Sequence, residues 1–405
     1  MYREVFNAIV RVARGAALKS TVTALGVLLG FNVLMGQTGR VTPGAQRTEE
    51  YFPQLKGKNV AVVANQTSLV GKKHLVDTLL SAGIQVKKVF APEHGFRGEA
   101  DAGQKLKDGL DPQTKLPVVS LYGKNLKPTP EQLKGIDVVI FDVQDVGVRF
   151  YTYISTLANV MEGCVQTGTA LLVLDRPNPN GHYVDGPILQ SGYTSFVGMH
   201  PVPIVHGMTV AEYARMVNGE GWLPDAARCE LNWVSVADYT HSTRYDLPVR
   251  PSPNLPNMRA VWLYPSICLF EGTIVSEGRG TTKPFQIYGF PGMKDGNAPF
   301  TPKAMKGAQS PKFKDVKCNG VDLSTTPDTV FLRSGRIDLS HIMAAYKGYS
   351  GKDPFFDPSF FDKLAGSSDL RDLIEAGWSE QQIRATWEPG LRKYAEVRAR
   401  YLIYE

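Results

Sequence analysis

From Gly57 onward the chain alternates short apolar runs with amphipathic stretches. Asn59-Val60-Ala61-Val62-Val63-Ala64 is nearly continuous in apolar residues, the pattern of a strand covered on both faces. Lys72 to Gly83 then places Leu75, Leu79 and Leu80 toward one helical face and stops at a glycine. Gln85 to Phe90 reads as the next strand and completes a βαβ unit. Pro117 to Leu121 and Asp137 to Asp142 predict two more strands, Arg149 to Gln166 a helix, and Ala170 to Asp175 a returning strand. Alternation of this kind predicts a mainly parallel, Rossmann-like sheet.

Past residue 200 the chain turns Pro-rich and irregular, as in Pro251-Ser252-Pro253-Asn254-Leu255-Pro256. Helical patterns recur at Thr209 to Gly219, Ile337 to Tyr346, Leu370 to Gly377 and Ser379 to Tyr404. In the last of these, Pro389-Gly390 suits a first turn, and Leu391, Tyr394, Val397 and Tyr401 share one face as core residues. The expected fold class is therefore α/β. A Rossmann-like domain spans residues 51–200, a smaller α+β auxiliary domain spans 201–405, and the active-site cleft lies between them; a length of 405 residues suits two cores.

The amino-terminal pattern differs. Arg3, Arg11, Arg14 and Lys19 precede an apolar run from Thr21 to Gly36, which reads as a secretory signal over residues 1–36 followed by a linker over 37–50. An uncleaved membrane anchor is the alternative, and no cysteine follows the run to carry a lipid. The expected location is outside the cytoplasm, in a bacterial periplasm or cell envelope.

Composition narrows the partners. A hydrophobic fraction of 43% and a charged fraction of 21% describe an ordinary globular protein, and a net charge of +6 without a run of Lys or Arg argues against nucleic acid. The four cysteines, Cys164, Cys229, Cys268 and Cys318, show neither a disulfide framework nor metal-ligand spacing, and the seven histidines show no H-E-x-x-H. The first strand runs into Asn65-Gln66-Thr67-Ser68-Leu69-Val70-Gly71, with no G-x-G-x-x-G turn to admit a pyrophosphate. No cofactor and no metal are assigned; ligation by His94 with Glu93 and Asp142 is the weaker metal alternative.

Polar side chains take the place of a phosphate loop at successive strand ends. They are Asn65 and Gln66; then Glu93, His94 and Arg97; then Asp142, Gln144, Asp145 and Arg149; then Asp175, Arg176 and Asn178. In open α/β sheets ligands bind at that edge. Each residue singly also has a structural explanation: Asp142 or Asp175 capping a helix, Arg149 pairing with Asp145, Asn178 in a turn. A second Gly-rich segment, Leu269 to Phe285, carries Glu271, Glu277, Arg279 and Lys283. The expectation is that Glu277 and Arg279 face Glu93 across the cleft, the alternative a bulged turn between strands.

Together the words Asn65-Gln66-Thr67, Pro92-Glu93-His94-Gly95-Phe96-Arg97-Gly98, Asp142-Val143-Gln144-Asp145 with Arg149 and Tyr151-Thr152-Tyr153, Asp175-Arg176-Pro177-Asn178-Pro179, and Ser276-Glu277-Gly278-Arg279-Gly280-Thr281 resemble the exo-β-N-acetylmuramidase (NamZ) family, from about Tyr51 to the carboxyl end. The resemblance implies a Rossmann-like domain plus an auxiliary domain. It also implies a peptidoglycan-recycling glycoside hydrolase that removes N-acetylmuramic acid from the non-reducing end of peptidoglycan fragments. Glycoside cleavage wants a protonated carboxyl and a second carboxylate. Glu93 is the expected acid, its pKa raised beside Phe96. Glu277 is the favoured second carboxylate, with Asp142 behind it. Because muramic acid carries a lactyl carboxylate, one of Arg97, Arg149, Arg176 and Arg279 should read it. Asn65, Gln66 and Gln144 are expected on sugar hydroxyls or the acetamido group, Tyr151 or Tyr153 stacked on the ring, and His94 either orienting Glu93 or touching sugar. Glu99 reads as a solvated loop residue. A non-catalytic peptidoglycan binder and a metal-assisted hydrolase of another anionic glycan are the competing readings.

Overall fold

In a computed structural model of the protein, residues 40–97 and 108–405 are described. The expected signal over 1–36, the start of the linker, and Gly98 and Glu99 lie outside the described residues. The main sheet has seven strands in the order Gly109–Leu110, Pro117–Ser120, Gln85–Ala91, Asn59–Ala64, Val138–Asp142, Ala170–Leu174 and Leu231–Val234. Every pairing is parallel except that of the two-residue edge strand Gly109–Leu110. Asn59–Ala64 runs near the middle, with Val62 opposite both Val89 and Ile140. Its near-continuous apolar run follows from that place, because helices cover both faces and Val60 to Ala64 are fully buried. A charge at Val62 would lose the transfer energy of a buried valine, about 1.5–3 kcal/mol, and add desolvation.

Parallel strands bring their carboxyl ends to one edge, so the loops beginning at Asn65, Pro92, Leu121, Val143 and Asp175 all leave from there. The helix after the fifth of the seven strands begins at Tyr153, four residues later than expected, and ends at Thr167 against Gly168 in the left-handed region. The intervening residues form a turn instead, with Gly147 at φ 76 and Tyr151 N–H donating to the Val148 carbonyl at 2.8 Å. Helix Val210–Gly219 opens on a capping box of Thr209 and Glu212 and leads to the strand Leu231–Val234. The sheet thus continues past residue 200, where the change in composition begins.

The rest of the chain supplies helices and a three-stranded antiparallel sheet ordered Ile287–Phe290, Cys318–Asp322, Ala298–Phe300. The α/β architecture with a following α+β part is as expected. Pro389 does not open its helix: Glu380–Ala399 starts from a capping box at Ser379 and carries the proline in its interior. Tyr394 is buried from that helix as predicted, whereas Tyr401 falls beyond its end. One apolar cluster runs from Phe141 and Tyr153 through Phe270 to Phe356 and Trp387, and a second fills the other face of the main sheet around Val62, Leu75 and Leu79. The described residues form one compact unit. Among them no helix is long and apolar enough to cross a membrane.

Residues 401–405 return to the main sheet. Glu212 Oε1 accepts from the N–H groups of Ile403 at 2.8 Å and Tyr404 at 3.2 Å and lies 3.0 Å from His241 Nε2. The Tyr404 hydroxyl donates to Asp175 Oδ2 at 2.7 Å and accepts from Val236 N–H at 2.8 Å.

Candidate active site

A cavity of about 370 Å³ opens at the carboxyl edge of the main sheet. Glu93, His94, Tyr122 and Phe150 to Tyr153 line it from the strand ends, and Tyr264, Glu271, Arg279, Phe285 and Phe360 from the later half. Local geometry explains the first wall. Pro92 follows the strand, and then His94 at φ 69 and Gly95 at φ 80 reverse the chain, leaving Glu93 at the turn. A left-handed histidine costs of order 1 kcal/mol, which the buried contact of its Nε2 with Ser252 Oγ at 3.3 Å helps to offset.

Glu93 is half-buried, and its Oε2 accepts from Thr152 Oγ1 at 2.9 Å. Burial first, and the negative Glu93 carboxylate next, raise the Tyr122 phenol above its ordinary range. Tyr153 places its hydroxyl 3.4 Å from the Glu93 carbonyl, and Tyr151 donates to the Pro251 carbonyl at 2.9 Å. The two rings meet edge to face at 4.9 Å.

Phe96 is not the wall of this cavity. The reversal at His94 and Gly95 sends it to the other side, edge-on to His74 at 4.9 Å within the cluster under the sheet. Arg97 goes with it, its Nε and Nη2 on the two oxygens of Asp111 at 2.9 and 2.8 Å, a pairing that holds the Asp111 carboxyl well below the usual range. Neither residue lines the space beside Glu93.

Across the cavity, Arg279 donates from Nη2 to Glu271 Oε1 at 2.7 Å and lies with its guanidinium 5.0 Å from the centre of the Phe285 ring. Behind it, Glu277 Oε1 is 3.2 Å from Arg279 Nε and Glu277 Oε2 is 3.8 Å from Lys312 Nζ. Burial pushes the Glu277 carboxyl up, while Lys312 and Arg279 pull it down. The Lys312 ammonium also donates to the carbonyls of Phe270, Glu271, Thr273 and Val275 at 2.7–3.1 Å. Of the expected facing pair, then, Arg279 reaches the cavity and Glu277 does not. Ser276 bridges to Gly289, which fixes Glu277 in the interior. The turn Cys268–Gly272 presents Glu271 in its place.

The other expected residues are occupied elsewhere. Asp142 and Arg176 form a buried two-point pair, Nε to Oδ1 at 2.6 Å and Nη2 to Oδ2 at 2.9 Å, beneath the strand ends. Asn65 is fully buried, donating to the Tyr153 hydroxyl at 2.9 Å and accepting from Thr67 N–H and Oγ1. Gln66 donates to the carbonyls of Arg250 and Pro251. Gln144 donates to the carbonyls of Asp145 and Pro177, both at 2.8 Å. Arg149 is fully buried and pairs with no carboxylate among the described residues; its Nη1 holds the carbonyls of Pro187 and Val202, its Nη2 that of Leu364, and burial lowers its pKa to about 9. Asp145 binds the Gly147 N–H at 2.6 Å instead of Arg149, and burial raises it to about 7. These groups shape and support the loops, and they do not reach the cavity. Among the described residues no three His, Cys, Asp or Glu side chains converge for a metal.

Tyr122, Thr152 and Glu271 are among the cavity residues missed in the sequence. Tyr122 had a signal, since it lies two residues past the strand Pro117–Ser120, as Glu93 lies two past the strand Gln85–Ala91. Thr152 lay inside a recognised word, and Glu271 in the Gly-rich segment, but neither was distinguished by residue type or spacing.

Two family models match the chain, "Exo-beta-N-acetylmuramidase NamZ, N-terminal" over residues 60–259 and "Exo-beta-N-acetylmuramidase NamZ, C-terminal" over residues 262–404. The chain is 40% identical over 373 residues to the peptidoglycan beta-N-acetylmuramidase NamZ of Bacillus subtilis, covering 88% of this chain and 89% of that one. Crystal structures of two DUF1343 family proteins from Bacteroides fragilis are similar to it. One has a TM-score of 0.84 at 46% identity and the other 0.74 at 27%, each covering 90% of this chain and 99% of its own.

Proposed function

Because the chain belongs to the exo-β-N-acetylmuramidase NamZ family, we propose that it releases N-acetylmuramic acid from the non-reducing end of peptidoglycan fragments. The observation that carries the reading at the level of residues is Glu93. It is a carboxyl on a sharp turn, held by the hydroxyl of Thr152 beside Tyr122 at the mouth of a ring-lined cavity of about 370 Å³. Such a space suits one sugar-sized ligand. Phe150, Tyr151, Tyr264 and Phe285 exclude water and offer faces to a pyranose.

In this reading Glu93 protonates the glycosidic oxygen as the bond to the anomeric carbon breaks. Arg279 reads the lactyl carboxylate, since Arg97, Arg149 and Arg176 are all committed away from the cavity. His94 supports the turn that carries Glu93. The amino-terminal run is proposed to direct export, which puts the enzyme where such fragments arise.

The test is a chromogenic muramic acid glycoside given to the wild-type protein and to E93Q. The wild type should release the chromophore and free muramic sugar, with E93Q slower by about a thousandfold. A wild type that binds the glycoside without consuming it would leave a binding protein instead.

A further inference from the structure

We propose that Glu271 is the second catalytic carboxylate of the cavity, with Arg279, Glu277 and Lys312 arrayed behind it as positioning residues; the proposal rests on the glycosidase reading above. Among the described residues, Glu93 and Glu271 are the acidic side chains that line this space. Tyr122 lines the same space, its phenol within the field of Glu93, Glu271 and Arg279. Glu277 is 4% exposed at its side chain and sits between two cations, so it has no access to substrate. Asp142 is closed off by Arg176.

The array has a direction. From the interior outward it reads Lys312, Glu277, Arg279, Glu271, alternating in charge, with separations of 3.8, 3.2 and 2.7 Å that shorten toward the cavity. A charge-assisted bond from Arg279 fixes the orientation of the Glu271 carboxylate, which a base or nucleophile requires. Lys312 fixes the backbone of the same residue, because its four carbonyl acceptors span Phe270 to Val275. The sequence therefore places two cations and one buried carboxylate behind a single one that lines the cavity.

The chemistry balances with these two groups and water. The bond between the anomeric carbon and the glycosidic oxygen breaks with its electron pair leaving on that oxygen, which takes the proton of Glu93. The pair that refills the anomeric carbon comes from a water oxygen whose proton passes to Glu271, or from Glu271 itself. In the second case water cleaves the resulting ester and returns its proton to Glu93.

The experiment uses the full chain with an activated muramic acid glycoside and the variants E271A, E277A, E277Q and K312M. E271A should lose about a thousandfold in kcat and regain a measurable part with azide or formate, small anions that fill the vacated carboxylate space. Rescue also shows that the variant is folded, and the anomer of the azide product reports which of the two routes operates. E277Q and K312M should lose about tenfold in kcat, show a shifted pH profile and not respond to either anion. Near wild-type turnover by E271A, or a loss that neither anion restores, overturns the assignment. Rescue of E277A in place of E271A also overturns it and returns the role to Glu277. An inactive wild type overturns the glycosidase reading itself, which separates the two failures.

Discussion

Two carboxylate–guanidinium pairs stand at the same end of this fold, and they do different work. Asp142 and Arg176 meet through two bonds under the strand ends, both buried. Glu271 and Arg279 meet through one, at a cavity wall, each with its side chain 21% exposed. In a sequence the two pairs look alike. What separates them is whether the surrounding protein has already met their bonding capacity: the closed pair fixes a loop, and the open one is left to meet a ligand.

That distinction can be broken or sharpened by substitution, beginning in the closed region. R149M strips donors from three buried carbonyls in segments well separated along the chain, so it should cost about 3–5 kcal/mol in denaturant unfolding with KM unchanged in whatever protein folds. A raised KM with stability intact would move Arg149 into the open class.

Asp145 offers a test by pH. With its pKa raised to about 7, the folded chain keeps a proton that the unfolded chain releases near pH 4. Stability from this group is present in full below about pH 4, falls as pH rises toward 7, and levels off above it, by at most about 4 kcal/mol. D145N keeps the acceptor for Gly147 and removes the titration. Its melting temperature should therefore drop less than that of the wild type between pH 5 and pH 8, and an equal drop would mean that Asp145 does not titrate in this range.

In the open region, R279K should raise KM for a muramic acid glycoside by about ten- to a hundredfold and KM for an N-acetylglucosaminide much less, since an ammonium cannot make the paired contact, while its looser hold on Glu271 lowers kcat for both sugars alike. R97K should leave both constants near wild type. Equal KM effects of R279K on the two sugars would remove lactyl recognition from Arg279. The smallest change expected is that of Y404F, which loses one bond to Asp175 and one from Val236. It should lower stability by about 1–2 kcal/mol with turnover unaltered, as read by chemical denaturation beside an activity assay.

The sheet was legible because strands buried on both faces must be apolar, and Asn59 to Ala64, Asp137 to Asp142 and Ala170 to Asp175 announce themselves by that alone. Glu93 was legible for a related reason: a Pro, a His and a Gly around a carboxylate at a strand end have little use in a core. The failures share a cause. Arg149, Arg176, Gln144 and Asn65 lie at the right edge of the sheet, but side-chain direction within a loop is set by packing against residues as far away as Leu364, which no local pattern records. Glu277 and Glu271 differ by six positions in one Gly-rich segment. Which of them faces the cavity is decided by the bridge from Ser276 to Gly289 and by Lys312, both contacts between distant parts of the chain.

The return of residues 401–405 to the main sheet sets the order in which the molecule can be finished. The seam they close belongs to the main sheet: Asp175 follows one strand, Val236 lies just beyond another, and Glu212 sits in the helix between them. A ribosome delivers those three long before Tyr404. Until then a buried carboxyl at Asp175 lacks its phenol and Glu212 lacks two of its amides, so the sheet's outer edge is assembled early in the sequence and sealed late in synthesis. For anyone altering the protein, the practical meaning is that a change in residues 401–405, where the Glu405 carbonyl accepts the His241 N–H at 2.7 Å, is felt in the main sheet rather than in a remote tail.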